Sequence, residues 1–317
     1  MALLLERHEV EGLLDMKEAI EVTEAAFVEQ GRGRVLSQAP AFLHVANGSL
    51  RVVMGALLEG KLLGARVGRA RGFEKGSNIA VICDLETGEL LAVMSYPFGR
   101  FRTGATVGLA TKFLSRRDAE VVGLIGTGRS AMGLLEGVVC VRPVKKVKVY
   151  SRDPDHRNRF AERAATALGI SVSPCSHPTE VVQASDILLV ATNSKAPVFD
   201  TEAMEPGLHV NSMGRPSELD PAVYRRADLT VVGDKVQELN LDVTRGFTQP
   251  LHQLKEENGF WERVLELGDV VCGRGGRKDE RQITVFRESQ GGWGDVALAQ
   301  WVLTRARKLG LGREVSF

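Results

Sequence analysis

Val121-Val122-Gly123-Leu124-Ile125-Gly126-Thr127-Gly128-Arg129-Ser130-Ala131 is the stretch whose reading decides the fold. Val121 to Ile125 is a compact apolar run, as a parallel strand buried on both faces requires. Gly126-x-Gly128-x-x-Ala131 then has the spacing of a dinucleotide-binding turn. The first glycine permits the tight turn, the second lets the backbone approach a pyrophosphate, and the third small residue lets the helix lie close on the strand. The free N–H groups and positive dipole end of that helix suit phosphates. Gly126, Thr127, Gly128, Arg129, Ser130 and Ala131 are therefore candidate cofactor contacts. The spacing alone also fits a glycine turn in some other α/β sheet. The context adds to it: an apolar helical stretch, Met132 to Val141, follows, and Val147-Lys148-Val149-Tyr150 completes a βαβ unit.

Downstream the alternation is regular. A helix from Pro154 to Leu168, a strand near Ile170 to Val172, a helix from Thr179 to Ala184 and the apolar strand 186–192 follow in turn. Leu208 to Ser212, Leu229 to Val232 and Gln282 to Phe286 supply further strands. Strands alternating with helices imply a Rossmann-type, doubly wound parallel sheet. Ligands of such sheets sit beyond the C-terminal strand ends. That rule adds Ser151, Arg152, Thr192, Asn193, Ser212 and Met213 to the candidate cofactor rim. Tyr150 is followed by Ser151-Arg152, with Arg157 one helical turn further on. A hydroxyl and a guanidinium suit a 2′-phosphate, so NADP(H) is preferred, with NAD(H) possible through Asp153, one place late for the ribose 2′-OH.

Upstream the chain reads as a mixed α+β layer. Residues 9 to 30 carry apolar side chains at helical spacing, ended by Gly31 and Gly33. Residues 35 to 95 are strand-rich, with a hairpin signal at Asn47-Gly48 and a second turn at 86–89. Arg102-Thr103-Gly104-Ala105 opens a helix, which would put Thr103 at a helix N-terminus facing the cofactor phosphates. The polar segment 115–120 marks a boundary. The expected organisation is an N-terminal domain over 1–115, joined by a returning helix within 296–317, and a dinucleotide-binding domain over 116–295. The fold class is α/β, with a mixed α+β N-terminal domain. Asp295 reads as the N-cap of the last helix, His44 and His209 as structural histidines in apolar surroundings, and Trp293 as either pocket wall or packing.

With 41 basic and 40 acidic residues the net charge is +1, which excludes nucleic acid as the main partner. No apolar run has membrane-spanning length. Four scattered cysteines without a C-x-x-C argue against metal or disulfide roles, and Met1 to Arg7 turns acidic too soon for a signal peptide, so a cytoplasmic protein is expected.

The chain resembles the ornithine cyclodeaminase/mu-crystallin family nearly end to end. The resemblance rests on Leu14 to Ile20, Asp84 to Met94, Arg102-Thr103-Gly104-Ala105, Gly126-Thr127-Gly128, Val210 to Gly214, Glu218-Leu219-Asp220-Pro221, Gly273-Arg274 and Ile283 to Phe286. It implies a homodimer built through the N-terminal domain, which also binds substrate, and a small imino or amino acid as that substrate. It also implies that Arg102 holds the substrate carboxylate, a role suited to a planar guanidinium.

Three departures bear on the chemistry. The family's G-x-K pattern reads Gly64-Ala65-Arg66, its early P-x-R falls on Ala39-Pro40-Ala41, and the cyclodeaminases' G-x-D reads Gly214-Arg215-Pro216-Ser217. Arg66 stays protonated and cannot act as a general base, help worth roughly 10²–10⁴-fold. A deaminating cycle is impaired; hydride delivery to a protonated imine is tolerated. Lys75, Glu218 and Asp220 are possible substitutes. The expected function is an NAD(P)-dependent oxidoreductase of a ketimine or cyclic imine type, with Arg66 and Arg102 in the catalytic site. The alternatives are an ornithine cyclodeaminase and a non-catalytic NADPH-binding protein.

Overall fold

A computed structural model describes residues 1–71, 77–240, 249–257 and 259–316; Lys75 lies outside them. Two sheets organise the chain. The second is wholly parallel among its described pairs, in the order Ser171–Pro174, Lys146–Tyr150, Val121–Ile125, Ile187–Val190, His209–Ser212, Thr284–Arg287, Leu229–Val232, Leu265–Glu266. The order reverses direction between Val121–Ile125 and Ile187–Val190, which is the switch point where such sheets take ligands. Ile125, Val190, Ser212 and Arg287 lie in register, so the residues after them share one rim. These central strands are buried on both faces.

The first sheet is mixed. Arg313–Val315, Ala2–Leu5, Leu90–Ser95, Asn78–Asp84, Leu62–Arg71, Gly48–Leu57 and Val35–Ser37 lie side by side, and Ala41–Val45 pairs with Gly48–Leu57. Val45 faces Gly48, so the hairpin turns on Ala46 and Asn47. The 86–89 turn is held by the Asp84 carboxylate, which accepts from the Glu86 and Thr87 amides at 2.9 and 2.8 Å. One face of this sheet receives the helix Gly292–Leu309. The contact is close enough to require glycine: a Cβ on Gly55 would stand 2.2 Å from the Trp293 amide nitrogen.

Four local readings need correction. The first helical region is two helices, Arg7–Val10 and Met16–Gly31, because the Asp15 side chain caps a new start by accepting from the Glu18 amide at 2.8 Å. The last helix begins at Gly292 with Gly291 as its N-cap, so Asp295 lies inside the first turn rather than capping it. The helix expected to open at Arg102 begins at Gly99, and the Arg102 amide already donates to Phe98 O at 2.7 Å. Thr103 is therefore a buried helix-interior residue, and its amide is not a free donor for phosphate. His44 is exposed rather than set in apolar surroundings, whereas His209 is fully buried with Nδ1 2.9 Å from Thr284 Oγ1. Burial, with Arg277 and Arg142 nearby, pushes the His209 imidazole down to about 3, so it is neutral at any working pH.

The helices Gly99–Leu114 and Ala131–Val139 cross through glycines, Gly104 and Gly108 against Gly133 and Gly137. A Cβ on Gly137 would stand 2.0 Å from the Gly104 carbonyl oxygen. This crossing joins the arginine-bearing helix to the helix of the glycine turn. Gly137→Val should lower stability by about 1–3 kcal/mol through overpacking. Thermal denaturation followed by circular dichroism checks this, and an unchanged midpoint would show that the helices can separate at no cost.

Candidate active site

The glycine turn has the geometry its spacing implies. Gly126 has φ +102°, and a Cβ there would stand 2.4 Å from Ala191 O, so only glycine fits. A Cβ on Gly128 would meet nothing within 4 Å: that face of the turn is open. Ser130 precedes the helix Ala131–Val139 without a side-chain capping bond, which leaves its first amides unclaimed by that side chain. Arg129 is exposed beside the turn, and Ala131 is buried against the strand. These features fit a dinucleotide pyrophosphate, with the open Gly128 face as the approach.

At the neighbouring strand end Ser151 and the exposed Arg152 lead into the helix Pro154–Leu168. Arg157 Nη1 donates to Ser151 O at 3.0 Å, and the Arg157 guanidinium lies 5.6 Å from the Tyr150 ring centre. Asp153 is the helix N-cap, accepting from the His156 amide at 2.9 Å. His156 Nδ1 in turn stands 2.8 Å from Thr127 Oγ1, tying the glycine turn to this helix.

Glu218 builds the rest of the rim. Its Oε2 accepts from the Thr192 amide and hydroxyl at 2.7 and 2.9 Å. Its Oε1 accepts from the Gly214 amide and the Ser212 hydroxyl at 2.8 and 2.9 Å. One buried carboxyl thus positions the loops after two adjacent strands. Ser212 is fully buried, its carbonyl and hydroxyl oxygens also meeting Arg287 Nη1, so its side chain faces the protein. Asn193 is exposed and Met213 half-buried on the rim. Asp220 caps the helix Pro221–Arg226 by accepting from the Ala222 amide at 2.8 Å.

A cluster of charge from the first sheet, the helix Gly99–Leu114 and the last helix meets this rim at Glu288. Arg66 Nε donates to Asp295 Oδ2 at 3.1 Å, and the Tyr96 hydroxyl donates to Asp295 Oδ1. The Arg66 guanidinium lies 5.4 Å from the Tyr96 ring centre. Arg102 Nη1 donates to Glu288 Oε1 at 2.5 Å and Nη2 to Gln290 O at 2.6 Å, while its Nε has no hydrogen-bond partner and lies 3.6 Å from Asp295 Oδ1. Burial opposes charge on Asp295, which is 2% exposed, but Arg66, Arg102 and the Tyr96 hydroxyl together hold its carboxyl below its usual range. The same carboxylate raises Arg66. Burial, and then Asp295, push the Tyr96 phenol well above 10, so it remains a neutral donor.

Three residues of this cluster, Tyr96, Arg51 and Glu288, escape a reading of the sequence. Arg51 lies on Gly48–Leu57 on the face shared with Val53, and Val53 pairs with Arg66. Burial, Arg66 and Arg102 push Arg51 down to about 10, still a cation at neutral pH; its Nε has no partner, and its guanidinium lies 5.6 Å from the Phe42 ring centre. Only the strand register brings it beside Arg66. Glu288 immediately follows the strand Thr284–Arg287, which extends one residue past the apolar run. The rule of C-terminal strand ends, applied to that strand, would have found it. Trp293 packs instead of lining a pocket: it is fully buried, edge-on to Phe27, with Nε1 donating to Asp234 Oδ2 at 3.0 Å.

The profile of the ornithine cyclodeaminase/mu-crystallin family matches residues 1–309. Δ1-pyrroline-2-carboxylate reductase of Bacillus cereus is 30% identical, over 99% of this chain and 100% of that protein. The structure of Thermococcus litoralis Δ1-pyrroline-2-carboxylate reductase, in complex with NADH and L-proline, is similar with a TM-score of 0.88 and 32% identity, covering 99% of this chain and 100% of that one. An archaeal alanine dehydrogenase dimer with bound NAD is similar with a TM-score of 0.86 and 29% identity, covering 100% and 99%.

Glu218 carries a pH signature. Burial pushes its carboxyl up from 4.5 to about 7, against the pull of Arg287 and the Thr192 donors. Folding therefore favours the protonated form. That contribution is complete below about pH 4.5 and is lost as pH rises through 7. Urea unfolding of Glu218→Gln at pH 5 and pH 8 should show a smaller fall in stability with pH than the parent protein shows. Equal slopes would mean that Glu218 is already ionised across this range.

Proposed function

The chain belongs to the ornithine cyclodeaminase/mu-crystallin family, and from that premise we propose that it is an NAD(P)-dependent reductase of a small imino acid. The observation that carries this reading is the guanidinium wall of Arg51, Arg66 and Arg102, in which the Nε groups of Arg51 and Arg102 have no hydrogen-bond partner and Arg51 lies beside Arg66. A cation set in a buried site, with donors unspent on protein partners, suits a substrate carboxylate. Arg102 spends both terminal nitrogens on Glu288 and Gln290, so in this reading it holds the wall in place and Arg51 takes the carboxylate with Arg66. Among the described residues no lysine or histidine bonds to this cluster, which favours imine reduction over the proton traffic of cyclodeamination.

The cofactor would lie along Gly126–Ala131, Ser151–Arg152, Thr192–Asn193 and Met213, and when bound it supplies the hydride. Arg152 and Ser151 favour NADP(H), since Asp153 is already committed to its helix. The division of labour follows the two sheets, 1–115 with the last helix for substrate and 116–295 for cofactor. The relatives bind comparable ligands: the Thermococcus reductase holds NADH and proline, the alanine dehydrogenase NAD.

The outer face of the first sheet suits a second copy of the chain. Leu36, Met54 and Ile79 are exposed there among Ala65 and Val81. Leu36, Met54, Ala65 and Val81 line an apolar hollow of about 400 Å³. A face this apolar is stable in water when covered, and the archaeal relative is a dimer.

Titration with NADPH and NADH by nicotinamide fluorescence, then addition of cyclic imino acids and of ornithine, tests the function. The expected result is tighter NADPH binding and loss of fluorescence on an imine, with Arg152→Asp reversing the cofactor preference. Binding without turnover of any imine would instead favour the non-catalytic reading, and ammonia release from ornithine the cyclodeaminase. Light scattering tests the assembly: a dimer for the parent protein and a monomer for Met54→Glu. A monomeric parent protein would remove the dimer proposal.

A further inference from the structure

The segment after the 209–212 strand lacks the acid of the cyclodeaminases, yet a reductase of imino acids must handle a charged nitrogen as well as a carboxylate. Both oxygens of Glu218 are consumed by Thr192, Ser212 and Gly214. Both oxygens of Asp295 are consumed by Tyr96 and Arg66. Asp220 is spent on its helix cap. Glu288 differs. Its backbone amide donates to Ser212 O at 2.9 Å, which fixes it on the cofactor rim. Arg102 Nη1 at 2.5 Å and the Gln290 amide at 3.4 Å both approach Oε1. Among the described residues nothing bonds to Oε2.

We propose that Glu288 is the nitrogen-binding residue of this site, receiving the N–H of a protonated imino or amino acid on Oε2. This rests on the function proposed above and narrows its substrate to a zwitterion: a carboxylate for Arg51 and Arg66, and a cationic N–H for Glu288. The charges face each other in the same sense. Glu288 raises Arg51 and Arg66 electrostatically, so it stands within reach of the guanidinium wall.

The chemistry then balances without a general base. The substrate enters as an iminium. As the hydride bonds to Cα, the C=N π pair retreats to nitrogen, which keeps the proton it carried. Glu288 stays a carboxylate throughout, so Arg66 in place of a lysine costs the reductive direction nothing. Arg102, bonded to Oε1, orients Glu288 and prevents it from swinging to the other guanidiniums.

The test compares two ligands of the same ring and carboxylate, L-proline and cyclopentanecarboxylate, by calorimetry on the protein saturated with NADP⁺. The parent protein should prefer proline by about 10- to 100-fold, the worth of a hydrogen bond to a charged group. Glu288→Gln should bind both alike, keep its NADPH affinity and lose at least about tenfold in kcat/KM for a cyclic imine. Glu288→Asp should retain part of the preference. A parent protein that does not discriminate, or a Glu288→Gln variant that discriminates as well as its parent, overturns the proposal. Failure of the parent protein to bind NADPH and either acid would instead overturn the function on which it rests.

Discussion

A carboxylate almost sealed from water, Asp295, holds the first sheet to the end of the second. Alone in an interior it would not stay charged. It does so because Arg66 comes from the first sheet, Tyr96 from just beyond that sheet's Leu90–Ser95 strand, and Arg102 from the following helix. Asp295 itself sits in the first turn of the helix Gly292–Leu309, on the connection that leaves the parallel sheet at Arg287. Breaking a buried pair of this kind typically costs about 3–5 kcal/mol. The guanidinium wall is therefore held against the strand ends of the parallel sheet by one charge lattice, Arg66 and Arg102 meeting Asp295 and Glu288.

Close backbone approach is the second constraint, and glycine supplies it. Gly55 admits the last helix to the sheet, and Gly104, Gly108, Gly133 and Gly137 let the arginine-bearing helix cross the helix of the glycine turn. Arg102 reaches the rim because that crossing is tight. Glu218 performs the same task with hydrogen bonds, joining the loops after Ile187–Val190 and His209–Ser212.

The parallel sheet was legible in the sequence because its strands are apolar runs punctuated by turns, a signal that needs no tertiary information. The glycine turn was legible because backbone chemistry demands glycine there. The charged site was legible only in part. Arg66 and Arg102 stood out, but their partners did not, since Asp295, Glu288 and Arg51 are separated from them by up to 229 residues in the chain. Asp295 satisfied the local pattern of a helix cap, and only the helix's earlier start at Gly292 moved it inside. Thr103 failed for the same reason in reverse: three residues of helix precede Arg102 where the sequence offers no capping signal. Arg51 depended on strand register, which alternation alone does not set.

The departures from the family pattern form a consistent set on this account. An arginine cannot pass protons, and a site of arginines suits a substrate that brings its own proton. The central claim is hydride transfer to Cα, and it is tested most directly by reducing a cyclic imino acid with NADPH deuterated at the transferable C4 position and reading the product by mass spectrometry and NMR. The expected product carries one deuterium at Cα and none elsewhere. Product without deuterium at Cα, or no product from a protein that binds NADPH, would contradict it.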